Sequence, residues 1–71
     1  MTEADYRRNE ERRLRRLAGL IRASRLSPAE IGRATNLDKR TVQRALRGEP
    51  LKSDAQARIE YFLDNYFTSH L

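Results

Sequence analysis

The sequence contains 71 residues, no cysteine and a single histidine, His70, and its formal net charge is +5. This length fits one domain, residues 1–71, with a small core, and the lack of cysteine and of clustered histidine predicts neither disulfides nor a metal or cofactor site. No apolar run approaches the ~20 residues of a membrane span and no signal peptide opens the sequence, so we expect a cytoplasmic protein that does not contact a membrane.

The first helix is predicted to begin at Thr2 or Asp5 and to carry an apolar stripe at spacings of three and four residues. The stripe consists of Leu14, Leu17, Leu20, Ile21 and Ser24. Around it the helix is basic, since residues 7–25 hold eight arginines against two glutamates. Such an arginine excess favours a polyanionic partner, although a solvated, salt-bridged helix surface has the same composition.

Residues 1–12 are expected to form a basic arm, either flexible or helical. With the residues that follow, they contribute a cluster of six arginines: Arg7, Arg8, Arg12, Arg13, Arg15 and Arg16. The cluster could contact phosphates or the minor groove of DNA. It could equally be a solvated face that Glu3, Glu10 and Glu11 partly neutralise, and the sequence leaves both alternatives open. Arg22 or Arg25 could pair with Glu30.

The second helix is predicted to begin at Pro28, because Ser27 is a good N-cap and Glu30 completes a capping box. It should bury Ile31 and Ala34, while Gly32 lets the next helix approach closely. The helix must be short, since Asn36 tolerates the positive φ of a tight turn. Asp38 is then a suitable N-cap for a third helix.

The third helix is predicted over residues 39–47 and ends before Gly48, with Pro50 beyond. Val42, Ala45 and Leu46 form its inner face. Its outer face contains only basic and polar side chains, which are Lys39, Arg40, Gln43, Arg44 and Arg47. A short helix whose outer face is basic and lacks carboxylates fits a polyanionic partner.

The fourth helix is predicted over residues 53–67, with Ser53 and Gln56 as the ends of a second capping box. Its apolar stripe comprises Ile59, Phe62, Leu63, Tyr66 and Phe67. Because the first three suffice to close a core of this size, we expect homodimer contacts through Tyr66 and Phe67. The resulting fold class is an all-α, compact domain of four or five helices.

Two short helices joined by a tight turn, the second with a basic outer face, predict a helix-turn-helix over residues 28–47. The segments at residues 26–32 (LSPAEIG) and 41–48 (TVQRALRG) resemble the lambda-repressor-like DNA-binding domains. Both the phage-repressor/Cro type and the lactose-repressor type are similar, and the long preceding helix favours the phage type. Two residues depart from the family pattern: Asn36 replaces the usual turn glycine, and Pro28 replaces a polar residue near the DNA backbone.

The resemblance implies that the first, second and sixth residues of the recognition helix, Lys39, Arg40 and Arg44, face base edges. Such side chains read guanine in the major groove. Gln43 could read adenine or hold a phosphate, or could be a spectator. Ser27, Thr41 and Arg47 are the expected phosphate contacts. For Arg44 and Arg47 the alternative is surface solvation or pairing with Glu49.

The expected function is sequence-specific binding of double-stranded DNA by a small prokaryotic or phage transcriptional regulator, associated with the nucleoid. The alternative is a partner-dependent DNA-binding module, such as an antitoxin or a recombination accessory protein. RNA binding is less favoured, because aromatic residues are absent among the basic ones and stacking is central to single-stranded RNA recognition. We expect no enzymatic activity, because no catalytic constellation or glycine-rich phosphate loop is present.

Overall fold

A computed structural model describes residues 2–69 and places four α-helices in them. These are α1 (Glu3–Ser24), α2 (Pro28–Thr35), α3 (Lys39–Leu46) and α4 (Ser53–Ser69). The predicted all-α class is confirmed for this part of the chain, and it contains four helices rather than five. His70 lies outside the described residues.

The first helix starts at its N-cap Thr2, the earlier of the two positions that the sequence allows, and the structure adds a complete capping box there. The Thr2 Oγ1 accepts a hydrogen bond from the Asp5 backbone N–H at 3.2 Å, and the Asp5 carboxylate accepts from the Thr2 N–H at 3.4 Å. Exposed ion pairs on the first turns, such as Arg7–Glu3 at 2.8 Å, support the helix further. Residues 3–12 are therefore helical, not extended.

Seven side chains from all four helices form the core, and each is at least 99% removed from solvent: Leu17, Ile21, Ile31, Val42, Ala45, Ile59 and Leu63. Half-buried residues, including Leu20, Leu37, Phe62 and Phe67, surround this cluster. The first half of α1 contributes nothing to it, because burial on α1 begins at Leu14. The core thus lies under the last three turns of α1, against the other three helices.

The second helix begins at Pro28 with Ser27 as N-cap, as predicted. Of the expected capping box only the Ser27 half is formed, since the hydrogen bonds of the described residues include the one from the Glu30 N–H to Ser27 but none from the Ser27 N–H to the Glu30 carboxylate. Its inner face differs from the prediction: Ala34 is exposed, and Thr35 is buried instead. Thr35 can enter the interior because its hydroxyl donates to the Ile31 carbonyl oxygen at 2.7 Å, which removes the cost of burying a polar group. The inward face is therefore centred on Ile31, Gly32 and Thr35.

Replacement of Ser27 by alanine should destabilise the fold by about 1 kcal/mol. The Ser27 Oγ accepts from the Glu30 backbone N–H at 3.1 Å, and alanine leaves that donor without its cap. Thermal unfolding followed by circular dichroism measures the change, with Ser69→Ala at the far end of α4 as the control. Equal melting temperatures for the Ser27 variant and the wild type would contradict this role of the cap.

A tight turn connects α2 to α3. Asn36 adopts the left-handed conformation with φ 59°, as predicted, and the Leu37 N–H donates to the Gly32 carbonyl oxygen at 2.8 Å. The Asp38 Oδ1 then accepts from the Arg40 N–H at 2.9 Å and caps α3. The third helix ends at Leu46, one residue before the predicted end, because Arg47 is its C-cap and Gly48 turns the chain away with φ 76°.

The start of α4 does not use the predicted capping box. Ser53 is already the first helical residue, and the Gln56 N–H bonds the Lys52 carbonyl oxygen at 3.0 Å. The Gln56 side chain is buried, so it points toward the interior instead of back toward the cap. Of the four aromatic residues on α4, Phe62, Tyr66 and Phe67 are half-buried, whereas Tyr61 is 74% exposed.

Candidate nucleic-acid interface

The two faces of α3 differ completely in burial and chemistry. Val42 and Ala45 are fully buried on one side. On the other side the five residues that the sequence singled out are all exposed: Lys39, Arg40, Gln43, Arg44 and Arg47. Arg40 and Arg44 are one turn apart and therefore share a face. The helix thus presents a continuous basic and polar surface to solvent.

Most of the cations on this surface have no carboxylate partner. Among the ion pairs within residues 2–69, none involves Lys39, Arg40 or Arg44. Arg47 differs, because its Nε donates to the Glu49 carboxylate. The alternative that the sequence left open for Arg47, pairing with Glu49, is therefore present. A free guanidinium offers a planar fork of donors to a phosphate or a base edge.

The close approach of α2 and α3 determines how this surface is presented. A Cβ built on Gly32 would lie 2.7 Å from the Leu37 carbonyl oxygen and 3.4 Å from the Lys39 backbone nitrogen. The absence of a side chain at Gly32 thus permits this close approach, as the sequence predicts. Because Ile31 and Val42 are also fully buried, α3 is held against α2 as one unit, residues 28–46.

Two of the three expected phosphate contacts belong to α3, Thr41 within the helix and Arg47 as its C-cap. Thr41 is half-buried and lines a cleft of about 410 Å³ between α3 and the start of α4. Arg44 and Lys52 line the same cleft, with Asp54 as its one acidic residue. Lys52 is a cation of this cleft that the sequence pattern did not indicate. No local pattern could have revealed it, because the fold of residues 47–52 brings Lys52 next to Arg44.

The third expected contact, Ser27, lies at the start of α2 and is exposed. Its Oγ accepts from the Glu30 N–H, and the hydroxyl proton stays available to an external acceptor. Ser27 therefore caps α2 and keeps its hydroxyl proton for a further hydrogen bond. Pro28, which follows it, supplies neither a side-chain donor nor a backbone N–H.

The arginines of α1 have unlike surroundings. Arg13 makes a bidentate contact with Glu60 of α4, at 2.6 and 3.0 Å, and this hydrogen bonding and charge raise the pKa of the guanidinium. Arg22 donates to the Leu46 carbonyl oxygen at 3.4 Å, at the C-terminal end of α3. Within residues 2–69 neither Arg22 nor Arg25 forms the ion pair with Glu30 that the sequence allowed.

The predicted dimer contacts, Tyr66 and Phe67, pack against their own chain. The Tyr66 hydroxyl donates to the Ser24 carbonyl oxygen at 3.5 Å, and Phe67 contacts the core. Their rings meet edge to face with centroids 5.6 Å apart. Homodimerisation through them stays a prediction. The exposed large apolar side chains of the described chain are Tyr6 and Tyr61.

Within residues 2–69 no three His, Cys, Asp or Glu side chains come together as metal ligands would. The same residues include no helix with the length and apolar character needed to cross a membrane. Searches with this chain found no matching protein-family model, no matching curated protein and no matching solved structure. A functional assignment therefore depends on the surface chemistry of α3 and on its support by α2.

Proposed function

We propose that this protein binds double-stranded DNA sequence-specifically, with residues 28–47 acting as a lambda-repressor-like helix-turn-helix. The observation that carries the proposal is the outer face of α3, where Lys39, Arg40 and Arg44 are exposed without a carboxylate partner in the described chain. The major groove of B-DNA is about 12 Å wide and admits one α-helix. Such a helix needs donors on its outer face and rigid support behind it.

Each residue of the interface receives a role from its chemistry and position. Lys39, Arg40 and Arg44 contact base edges, where guanine O6 and N7 accept from them, and Gln43 contacts adenine or a phosphate. Ser27, Thr41 and Arg47 hold phosphates, and these contacts orient the helix without carrying sequence information. Lys52 joins this second group because it shares the cleft of Thr41 and Arg44. The role that follows is a small prokaryotic or phage transcriptional regulator at the nucleoid.

The partner-dependent alternative, an antitoxin or a recombination accessory module, requires an apolar surface that a second protein covers. Tyr66 and Phe67 offer little such surface, because they pack against their own chain. Tyr61 favours the alternative, since it stands exposed beside a shallow cleft of about 470 Å³ that Ala34 and Phe62 also line. DNA binding by α3 is common to both functions, and we prefer the regulator because it requires no further component.

Affinity for duplex DNA should fall steeply with salt. With about five to seven phosphates neutralised by the cations of α3, Lys52 and the arginine-rich α1, log K should decrease against log salt with a slope of roughly −5 to −6, because bound cations release condensed counterions from the duplex. A fluorescence anisotropy titration of a labelled duplex at several salt concentrations measures the slope. A single-stranded oligonucleotide of the same sequence is the control, and a duplex slope near zero would overturn the proposed function.

Sequence preference is tested separately, by selecting bound sequences from a random duplex pool. The proposal expects an enriched site with guanines opposite Arg40 and Arg44, because bidentate arginine contacts to guanine are the commonest specific contacts in the major groove. If the salt slope is steep but no sequence is enriched, the protein binds DNA without sequence preference. That result would overturn the sequence-specific function.

A further inference from the structure

Arg22 shows which side of α1 lies against α3. The Arg22 Nη2 donates to the Leu46 carbonyl oxygen at 3.4 Å, and Leu46 is the last residue of α3. The side of α1 that carries Arg22 is thus continuous with the C-terminal end of α3. Any cation on the same side of α1 extends the basic surface of α3 instead of forming a separate one.

Arginines recur on that side at intervals of seven residues. Arg8, Arg15 and Arg22 are all exposed, and successive members of a heptad-spaced row drift by only about 20° around an α-helix. The row spans 14 residues of α1, which corresponds to about 21 Å along the helix axis. We call these three residues the α1 arginine row.

On the side of α1 that faces α4, carboxylates of α4 neutralise the arginines. Arg13 pairs with Glu60, and Arg16 lines a small cleft together with Glu60 and Asp64. On the α1 arginine row the only ion pair within residues 2–69 is Arg15 with Glu11, whose charged atoms are 4.0 Å apart and whose side chains are 75% and 68% exposed. An exposed pair of this kind is worth little and exchanges readily for a phosphate. The α4 carboxylates thus lie on one side of α1, whereas on the row's side the nearby carboxylate is Glu11 of α1 itself, which lies near Arg8 and Arg15.

We propose that the α1 arginine row is a second phosphate-binding surface, which follows the backbone of the duplex beyond the segment that α3 reads. This inference rests on the proposed function. Its length of about 21 Å matches roughly six base pairs of duplex at 3.4 Å each. The continuity through Arg22 and Leu46 assigns the row to the same duplex, not to a second nucleic-acid molecule.

The test compares two double variants that remove the same charge at the same height on α1. Arg8→Gln/Arg15→Gln disrupts the row, whereas Arg7→Gln/Arg16→Gln removes the sequence neighbours of those two arginines, which lie about 100° around the helix from them. Arg16 lies beside the α4 carboxylates. The row variant should lower the salt slope by roughly two units, so its affinity deficit should shrink about tenfold between 50 and 200 mM salt. The matched variant should leave the slope unchanged. Circular dichroism verifies that both variants keep their helix content.

Duplex length provides the second arm of the experiment. When the selected site is shortened by about six base pairs, at one end and then at the other, one truncation should weaken wild-type binding as much as the row variant does. On that truncated duplex the row variant should bind like the wild type. These results would support a contact with flanking DNA on a single duplex.

Three outcomes would overturn the proposal. Equal changes in the salt slope of the two double variants would mean that α1 affects DNA binding only through its total charge. An unchanged slope in the row variant, with steep wild-type binding that still depends on Arg44, would remove the row and leave the proposed function intact. A wild-type slope near zero would remove both at once.

Discussion

Gly32→Ala should lower the free energy of unfolding by about 1–3 kcal/mol, as overpacking of a close contact does. The added Cβ would lie 2.7 Å from the Leu37 carbonyl oxygen and 3.4 Å from the Lys39 nitrogen. Both neighbours are backbone atoms of the turn, so neither can rotate away, and the Leu37 N–H bond to the Gly32 carbonyl would be strained as well. In a domain of this size the melting temperature should drop by roughly 4–8 °C per kcal/mol.

Gly19→Ala is the matched control for this substitution. A Cβ at Gly19 would meet no atom within 4 Å, and the residue lies in the exposed interior of α1. Alanine should therefore raise stability by about 0.5–1 kcal/mol, because glycine is a poor helix former. Thermal and urea unfolding of both variants measure the contrast. A Gly32 variant as stable as the Gly19 variant would show that α2 and α3 do not approach as closely as described.

The sequence predicted those parts of the fold that local chemistry determines. The helix starts after Thr2, Ser27 and Asp38 each depend on a side-chain oxygen and a backbone N–H two or three residues away, so the local sequence contains both partners. The left-handed Asn36 follows from the same kind of local preference. The outer face of α3 was predictable too, because helical periodicity alone assigns residues 39, 40, 43, 44 and 47 to one side.

The structure differs from the sequence predictions where contacts between residues distant in sequence determine burial and backbone conformation. Thr35 is buried and Ala34 exposed because the packing of α2 in the whole fold decides which side is covered, and Ala34 lies at the edge of that packing, where it lines an open cleft with Tyr61 and Phe62 of α4. Arg25, a non-glycine residue with φ 60°, ends α1 without any local glycine signal. For the candidate site the proximity of Lys52 to Arg44, and of Arg22 to Leu46, depends on contacts between helices. Periodicity and capping patterns include no information about such contacts.

Arg44→Ala should weaken binding to the selected site by about 1–3 kcal/mol and relax the choice at one base pair. Arg44 lies one turn after Arg40 on the exposed face of α3, so both side chains would enter the same groove. The loss is large because a bidentate contact with guanine cannot be replaced by water at a buried base edge. On a scrambled duplex the same substitution should have a much smaller effect, since no base contact is made there.

Arg47→Ala is the comparison that distinguishes a base contact from a phosphate contact. Arg47 is the C-cap of α3, where the helix would leave the groove in the proposed complex, and its Nε donates to Glu49. Its removal should weaken binding to the selected and scrambled duplexes equally and lower the salt slope by roughly one unit. Glu49→Gln should act in the opposite direction on both duplexes, because it frees Arg47 for a phosphate and removes a repelling carboxylate.

The two arginines together decide which part of α3 faces the bases. Each variant is titrated against both duplexes at two salt concentrations. The titrations give the ratio of its affinities for the selected and scrambled duplexes, and the slope of log K against log salt. The assignment requires that Arg44→Ala reduce the ratio with little change in slope, and that Arg47→Ala reduce the slope with little change in ratio. If Arg44→Ala costs the same affinity on both duplexes, Arg44 contacts the backbone. The reading face would then be restricted to the first turn of α3, at Lys39 and Arg40, where the Asp38 cap begins the helix.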